Sequence, residues 1–339
     1  MFIRIYSGFQ RRINMANPIA ITGRCFMGRQ IIIWSVVCIL LVSLGLSAGT
    51  EKVTLELHLK TGQTFNLLHV TESDISAVAM GQEMNRTQTH RIGYTFEIRE
   101  VGDDGTATCK VTYKFVQMIM SSNGDREEYN SDKPPATVPE SAKLMAALVG
   151  QSLSLRVSPA GRVLEVQGGE TLYAKVMKEW GVANESMRAT IEQQLRERFG
   201  TDAIRETMEL AIGAYFPDKP VDIGDSWIKP MRTTLPYPMS VANTCTLKDR
   251  KAGLAVIDVA GKISTNPAAK LVQFGPMSVA FQVSGERKGQ VEIEEATGWT
   301  ACARFVEQIS GVFKASGGPA EDMSIPFSGK ITTHIESKK

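Results

Sequence analysis

Tyr94-Thr-Phe-Glu-Ile-Arg-Glu-Val-Gly-Asp-Asp-Gly-Thr-Ala-Thr-Cys-Lys-Val-Thr-Tyr-Lys-Phe-Val-Gln-Met-Ile-Met120 is the stretch whose reading decides the fold. Tyr94, Phe96 and Ile98 alternate with Thr95, Glu97 and Arg99, and Cys109, Val111, Tyr113 and Phe115 alternate with Lys110, Thr112 and Lys114. Between the two runs lies Gly102-Asp103-Asp104-Gly105, built of residues that tolerate positive φ. The pattern is that of a long amphipathic β-hairpin. Two strands are marginal alone in water, so the rest of the chain has to extend the sheet and cover its apolar face. From Phe115 to Met120 both faces turn apolar, with Phe115 and Ile119 on one and Val116, Met118 and Met120 on the other. Cover is therefore required on both sides.

Upstream, Ile31 to Leu46 is an almost unbroken apolar run, preceded by Arg24 and Arg29 and followed by Ser47-Ala48-Gly49. Its roughly 16 residues are short against the roughly 20 a membrane span needs. Two readings of residues 1–49 stand: a cleaved signal peptide with its apolar core at 31–46, which the length and flanks favour, or an uncleaved N-terminal anchor. The leader holds Arg4, Arg11, Arg12, Arg24 and Arg29 and no acid, so removing it leaves 33 basic residues against 36 acidic ones, and the formal +2 becomes −3. Without a basic cluster to neutralise phosphates, nucleic acid is excluded as an expected partner. Of five cysteines only Cys109, Cys245 and Cys302 lie beyond the leader, with no Cys-x-x-Cys spacing. A disulfide framework and a zinc knuckle are both set aside.

From Lys52 to Lys60, Val53, Leu55, Leu57 and Leu59 alternate with polar residues as in a half-buried strand, and a second strand surrounds Phe65 to Val70. Gln82 to His90 is polar throughout and reads at most as a strand at an edge or over solvent. Glu140 to Val149 reads as a short helix stopped by Gly150, and Leu153–Val157 with Arg162–Val166 as a hairpin. Leu172, Val176 and Trp180 then mark a helix, Met187, Ile191 and Leu195 a second, and Ile204, Met208, Ala211 and Tyr215 a third. After Phe216 strand character returns and persists to a closing strand with Ile325, Phe327, Ile331 and Ile335. Gly224-Asp-Ser-Trp227 matches Gly62-Gln-Thr-Phe65, the hairpin from Thr244 to Ile263 matches the central one, and Gly289–Trp299 matches Gly150–Arg162, all in the same order. The expectation is a β-rich α+β fold, with long antiparallel strands in a curved sheet or half-barrel. It divides into a first β unit (50–168), a helical insertion (169–216, with helical character around 138–215) and a second β unit (217–339) that duplicates the first.

Catalytic signatures are absent: no Gly-x-Ser-x-Gly elbow, phosphate-cradling loop, dinucleotide fingerprint or His-Glu-x-x-His occurs. The four histidines are scattered and Asp103-Asp104 is a turn, so neither metal nor cofactor is expected and the chain is not read as an enzyme. The candidate ligand-binding residues are Phe115, Met118, Met120, Trp299 and Phe305, adaptable apolar side chains of the kind that line a lipid or peptide site. The competing reading is that the helices simply fill that space as core.

Leu59-Lys-Thr-Gly-Gln-Thr-Phe65, Met80-Gly-Gln-Glu-Met84, Asp104-Gly-Thr-Ala107 and Pro220-Val-Asp-Ile-Gly-Asp-Ser-Trp227 together resemble a family of secreted bacterial proteins of unknown function. The motifs mark turns and strands, so the resemblance implies export and a β-rich fold and carries over no catalytic residue. The architecture is more loosely similar to the half-barrels of periplasmic lipoprotein carriers and lipid-binding lipoproteins. The expected product is a periplasmic or secreted protein that binds a lipid, another apolar ligand or a lipidated peptide, or else a solid envelope module that binds a protein partner. Membrane contact is expected only through the N-terminal segment, if it stays uncleaved.

Overall fold

In the computed structural model, the described residues are 52–79, 81–180, 196, 200–233, 239–267, 271–274, 277–317 and 323–338. The readings of the leader, of Met80 and of the helix around Met187, Ile191 and Leu195 lie outside them. Residues 49–339 make one compact unit. Its strands are β1 (Thr64–Ala79), β2 (Gln82–Val101), β3 (Ala107–Ser122), β4 (Asp125–Asn130), β5 (Ser152–Val157), β6 (Val163–Gln167), β7 (Ser226–Thr233), β8 (Met239–Lys251), β9 (Leu254–Thr265), β10 (Val272–Phe274), β11 (Met277–Glu294), β12 (Thr300–Ser316) and β13 (Met323–Lys338). The helices are α1 (Lys143–Leu148), preceded by a 3-10 turn, α2 (Gly169–Trp180) and α3 (Thr201–Ile212). All strands belong to one curved, open antiparallel sheet ordered β6-β5-β3-β2-β1-β13-β12-β11-β9-β8-β7, with β4 added beside β3 and β10 beside β11.

The central hairpin forms where its alternation places it, as β2 and β3, with Phe96, Ile98, Cys109 and Val111 buried on one face. One detail differs. Gly93 pairs with Phe115 while Tyr94 pairs with Tyr113, so Lys114 is an extra residue in β3. This bulge turns Phe115 to the face opposite Tyr113 and brings Val116 and Met118 onto the face of Tyr113. Gln82–His90 is the first half of β2, paired throughout to β1 and from Arg86 onward also to β3, so it lies over solvent within the sheet, its start at the exposed far end. Residues 52–60 alternate as expected, with Leu55, Leu57 and Leu59 buried, yet they form a strap rather than a strand. Their one bridge joins Val53 to Val221. Leu57 N–H donates to Pro159 O and His58 N–H to Thr297 O, so the strap ties the β5–β6 turn to the β11–β12 turn.

The internal duplication is visible hydrogen bond by hydrogen bond. Gly62 N–H donates to Ile98 O (2.8 Å) and Ile98 N–H to Gln63 O (2.9 Å); Gly224 N–H donates to Leu247 O (2.7 Å) and Leu247 N–H to Asp225 O (3.0 Å). In the same turns Gln63 Oε1 accepts from Lys60 N–H and Asp225 Oδ2 from Asp222 N–H. Bulges recur too, at Arg99 between β2 and β3 and at Lys248 between β8 and β9, then at Leu164 between β5 and β6 and at Ala301 between β11 and β12. The sheet thus reads β1-β2-β3-β5-β6 and β7-β8-β9-β11-β12, with β13 joining the two meanders through β12 and β1.

Curvature comes from glycines opposed to large residues on the inner face. Across the sheet runs the row Ile263, Gly285, Ile309, Gly329, Ile75, and beside it Val283, Gly311, Phe327. A Cβ on Gly285 would lie 2.1 Å from Gln308 O and one on Gly311 2.0 Å from Gln282 O. Only glycine lets the backbones close to this distance. The concave face is covered by the helices and the strap, which join the strands in one large core cluster. A second cluster around Val283, Ile309 and Phe327 lies toward the far ends of the strands. α3 ends at Ile212, so Tyr215 is the buried residue of the turn that follows rather than a helical one.

Gly298 and Gly124 both have positive φ, but a Cβ on Gly298 would meet Glu56 O of the strap at 1.9 Å whereas Gly124 has nothing within 4 Å. Gly124→Ala is expected to cost about 1 kcal/mol of conformational strain, and Gly298→Ala about 3 kcal/mol or more, because strain and steric overlap add. Urea denaturation of the two variants measures the difference; equal losses would mean the strap yields freely.

Candidate functional site

Parity along β11, β12 and β13 decides which side chains enter the concave face. Arg287 shares its face with Val283 and Val291, and Glu307 shares its face with Phe305 and Ile309. The register sets Arg287 directly opposite Glu307, which in turn faces Ile331. α3 crosses above them and leaves a cavity of about 180 Å³, walled by Thr207, Met208, Leu210 and Ala211 of the helix. From the sheet come His69, Tyr94, Met231, Arg287, Phe305 and Glu307 among others.

Most of the wall is apolar; its polar side chains include His69, Thr71, Thr207 and Thr333 and, grouped around one guanidinium, Arg287, Glu307 and Tyr215. There the Arg287 guanidinium lies 3.4 Å from Glu307 Oε1, donates from Nη2 to Tyr215 Oη at 2.8 Å and from Nη1 to Met231 Sδ at 3.1 Å, and sits 3.9 Å above the Phe305 ring. Tyr215 stacks on the same ring at 5.4 Å. Arg287 is 5 % exposed and Glu307 7 %. Burial pushes the Glu307 carboxyl up, with Arg287 opposing it, and burial likewise raises the Tyr215 phenol. Two buried polar atoms of this region, Arg287 Nε and Asn243 Oδ1, have no hydrogen-bond partner. Gly261 separates the two residues across the sheet: Arg287 pairs with it from β11 and Asn243 from β8.

Elsewhere in the wall His69 is held down to about 4, first by burial and then by His90, and its Nε2 lies 3.4 Å from Thr71 Oγ1. It is neutral at pH 7. Cys109 and Cys245 are buried free thiols, each pushed up to about 12 by burial and so poor nucleophiles. Among the described residues no group of three or more His, Cys, Asp or Glu is placed to hold a metal ion.

The five sequence-derived candidates are not brought together. Phe305 lines the cavity. Met118 is buried in a separate cluster with Val116, Tyr129 and Ala142. Met120 is half-buried, its sulfur accepting from Arg86 Nη2, and Phe115 faces the other side of the sheet. Trp299 stacks on Phe65 at 4.2 Å and donates from Nε1 to Ser337 Oγ, inside the main core. Sequence reasoning missed Arg287 and Glu307. The available signal was parity: each is a charged residue in phase with apolar neighbours on a strand that is otherwise buried on that face.

Residues 104–300 match the family described as "Family of unknown function (DUF6263)". The chain belongs to that family. No curated protein matches the sequence of this DUF6263 member. Among solved structures, lipovitellin, described under lipid–protein interactions, is 8 % identical with a TM-score of 0.44, over 83 % of this chain and 25 % of its own, so the DUF6263 chain spans a quarter of that protein's length. An outer membrane channel from Pseudomonas putida F1 is 10 % identical with a TM-score of 0.21, over 83 % of this chain and 97 % of its own. The translocator domain of the autotransporter NalP from Neisseria meningitidis is 8 % identical with a TM-score of 0.19, over 82 % and 89 %. At these scores none of the three carries an argument about the DUF6263 chain.

His69 makes stability pH-dependent in a defined direction. Below pH 6.5 the unfolded chain protonates this imidazole while the folded chain resists until about 4, so stability present above pH 6.5 is lost as pH falls toward 4. The loss is at most about 3 kcal/mol. His69→Gln is expected to flatten this part of the profile, read as the difference between variant and wild-type urea midpoints at pH 7 and pH 4.5; parallel profiles would place His69 in water.

Proposed function

We propose that the protein is an exported, non-enzymatic binding protein of the cell envelope, periplasmic or secreted, that holds a small apolar or amphiphilic ligand between α3 and the curved sheet. The observation that carries this reading is the cavity of about 180 Å³ under α3. It exceeds the space of a few waters, each taking about 30 Å³ of liquid, and an apolar cavity of about 150 Å³ is enough to hold benzene. It is smaller than the roughly 300–1,000 Å³ of typical ligand pockets. A six-carbon ring or short acyl segment therefore fits as the structure stands, and a longer chain requires α3 to lift. A mostly apolar lining with a small number of polar groups is the usual make-up of such sites. The export part of the reading rests on the leader, with its short apolar run and Ser47-Ala48-Gly49.

Benzene is expected to raise the melting temperature of the wild-type protein in proportion to the logarithm of its concentration. Ala211→Phe, which fills the cavity from α3, should abolish that rise while leaving the ligand-free protein folded. Wild-type protein indifferent to benzene would sink the reading. The intact mass of protein recovered from the envelope is expected to lack the leader; a full-length mass would favour the anchored form.

A second reading, an interaction module working through its surface, is favoured by the open sheet: β7 is an edge strand and exposes Ile228 at 69 %. Pro230 in the same strand removes a donor and weakens that edge for pairing. The cavity reading therefore stands first.

A further inference from the structure

We propose that the ligand is a monocarboxylate with a short apolar tail, its carboxylate accepted by Arg287 and its tail lying along Met208, Leu210 and Ala211 of α3. The inference rests on the cavity reading above and names the chemistry of its polar end. Arg287 is the only arginine or lysine in the cavity wall among the described residues. Its donors are poorly matched: Nη2 reaches a hydroxyl, Nη1 a thioether and one carboxylate oxygen at the long distance of 3.4 Å, and Nε reaches nothing. A guanidinium presents five N–H groups in a plane that suits a carboxylate in a two-point contact, and a thioether is a weak acceptor. A buried N–H left without an acceptor costs free energy that a ligand oxygen would recover. Of the two partnerless atoms, Asn243 Oδ1 belongs to a residue outside the cavity wall, whereas Arg287 belongs to it.

Charge and size narrow the class. Glu307 already faces Arg287, so a doubly charged phosphate would meet a neighbouring carboxylate at close range, whereas a singly charged group replaces or shares that contact. Met208, Leu210 and Ala211 of α3, with Ile331 and Ile335 of the sheet, suit a hydrocarbon tail, and the other polar side chains of the wall, His69, Thr71, Thr207 and Thr333 among them, are neutral and offer no second cation to a phosphate.

The test compares hexanoate with 1-hexanol, equal in carbon number, by isothermal titration calorimetry on the leader-free chain. Wild type is expected to bind hexanoate about tenfold more tightly than hexanol, the difference of one charge-assisted contact. Glu307→Gln, which keeps the shape and removes the competing charge, should tighten hexanoate further and leave hexanol unchanged. The double variant Arg287→Met/Glu307→Leu replaces the pair with apolar groups, a change buried ion pairs tolerate; it should keep hexanol binding and lose the preference for hexanoate. If wild type binds the two equally, or Glu307→Gln weakens hexanoate, the carboxylate assignment is overturned and the cavity reading survives. If neither compound binds, both fall. Should the double variant fail to fold, the Glu307→Gln result decides alone.

Discussion

The structure depends on the close approach of strand backbones at the inner-face glycines. Where Gly285, Gly311 and Gly329 oppose Ile309, Phe327 and Ile75, a large side chain on one strand occupies the space a missing Cβ leaves on the next. Interlocking of this kind lets long strands wrap tightly instead of spreading into a flat sheet. The resulting concave face is apolar and must be covered, yet the described helices are short, the longest running 12 residues. The strap of Leu55, Leu57 and Leu59 supplies what they lack at the turn end of the sheet, and α3 spans the middle without filling it.

The two halves share turns and bulges but spend them differently. β5 and β6 are six and five residues long, whereas their counterparts β11 and β12 run for 18 and 17. Aligning the turns sets Arg162 against Trp299, which places Glu307 of β12 opposite Glu170 at the start of α2. The first half leaves the sheet for its helices at the level where the second half carries Glu307. One repeat thus provides the cover and the other the long strands bearing the polar pair, and the cavity lies between them. A symmetric duplication would have had neither a helix to roof the site nor an extension to hold it.

The sequence showed the hairpins, the closing strand and the repeat because these depend on period-two alternation and on turn residues, which are local. What it concealed were features set across strands. Lys114 looks like any solvent-facing residue between Tyr113 and Phe115, and only pairing with β2 makes it the extra residue of a bulge that reverses Phe115. The alternation of residues 53–59 is real, but whether an alternating segment joins a ladder or lies as a strap depends on where the chain arrives. Gly285-Glu-Arg-Lys-Gly289 reads as a charged, solvated stretch until the burial of both its flanks is known, and so Arg287 stayed hidden.

Arg287 and Glu307 make a poor stabilising pair. Two ions taken from water lose several kcal/mol each, and good geometry with full hydrogen bonding is needed to recover it. Here the two charges meet in a single 3.4 Å approach, and Nε is left without an acceptor. The Phe305 ring 3.9 Å below the guanidinium offsets part of the loss. Apolar residues of similar volume would pack against Ile331, Met231 and Phe305 at less cost, because those neighbours are already apolar. A charge kept under these terms is therefore better explained by an acceptor that comes and goes than by the fold it burdens. The surroundings agree: Tyr215 holds the guanidinium from one side and the aromatic ring fixes its plane. The donor is thus oriented before any ligand arrives, and the ordering cost of recognition is already met in folding.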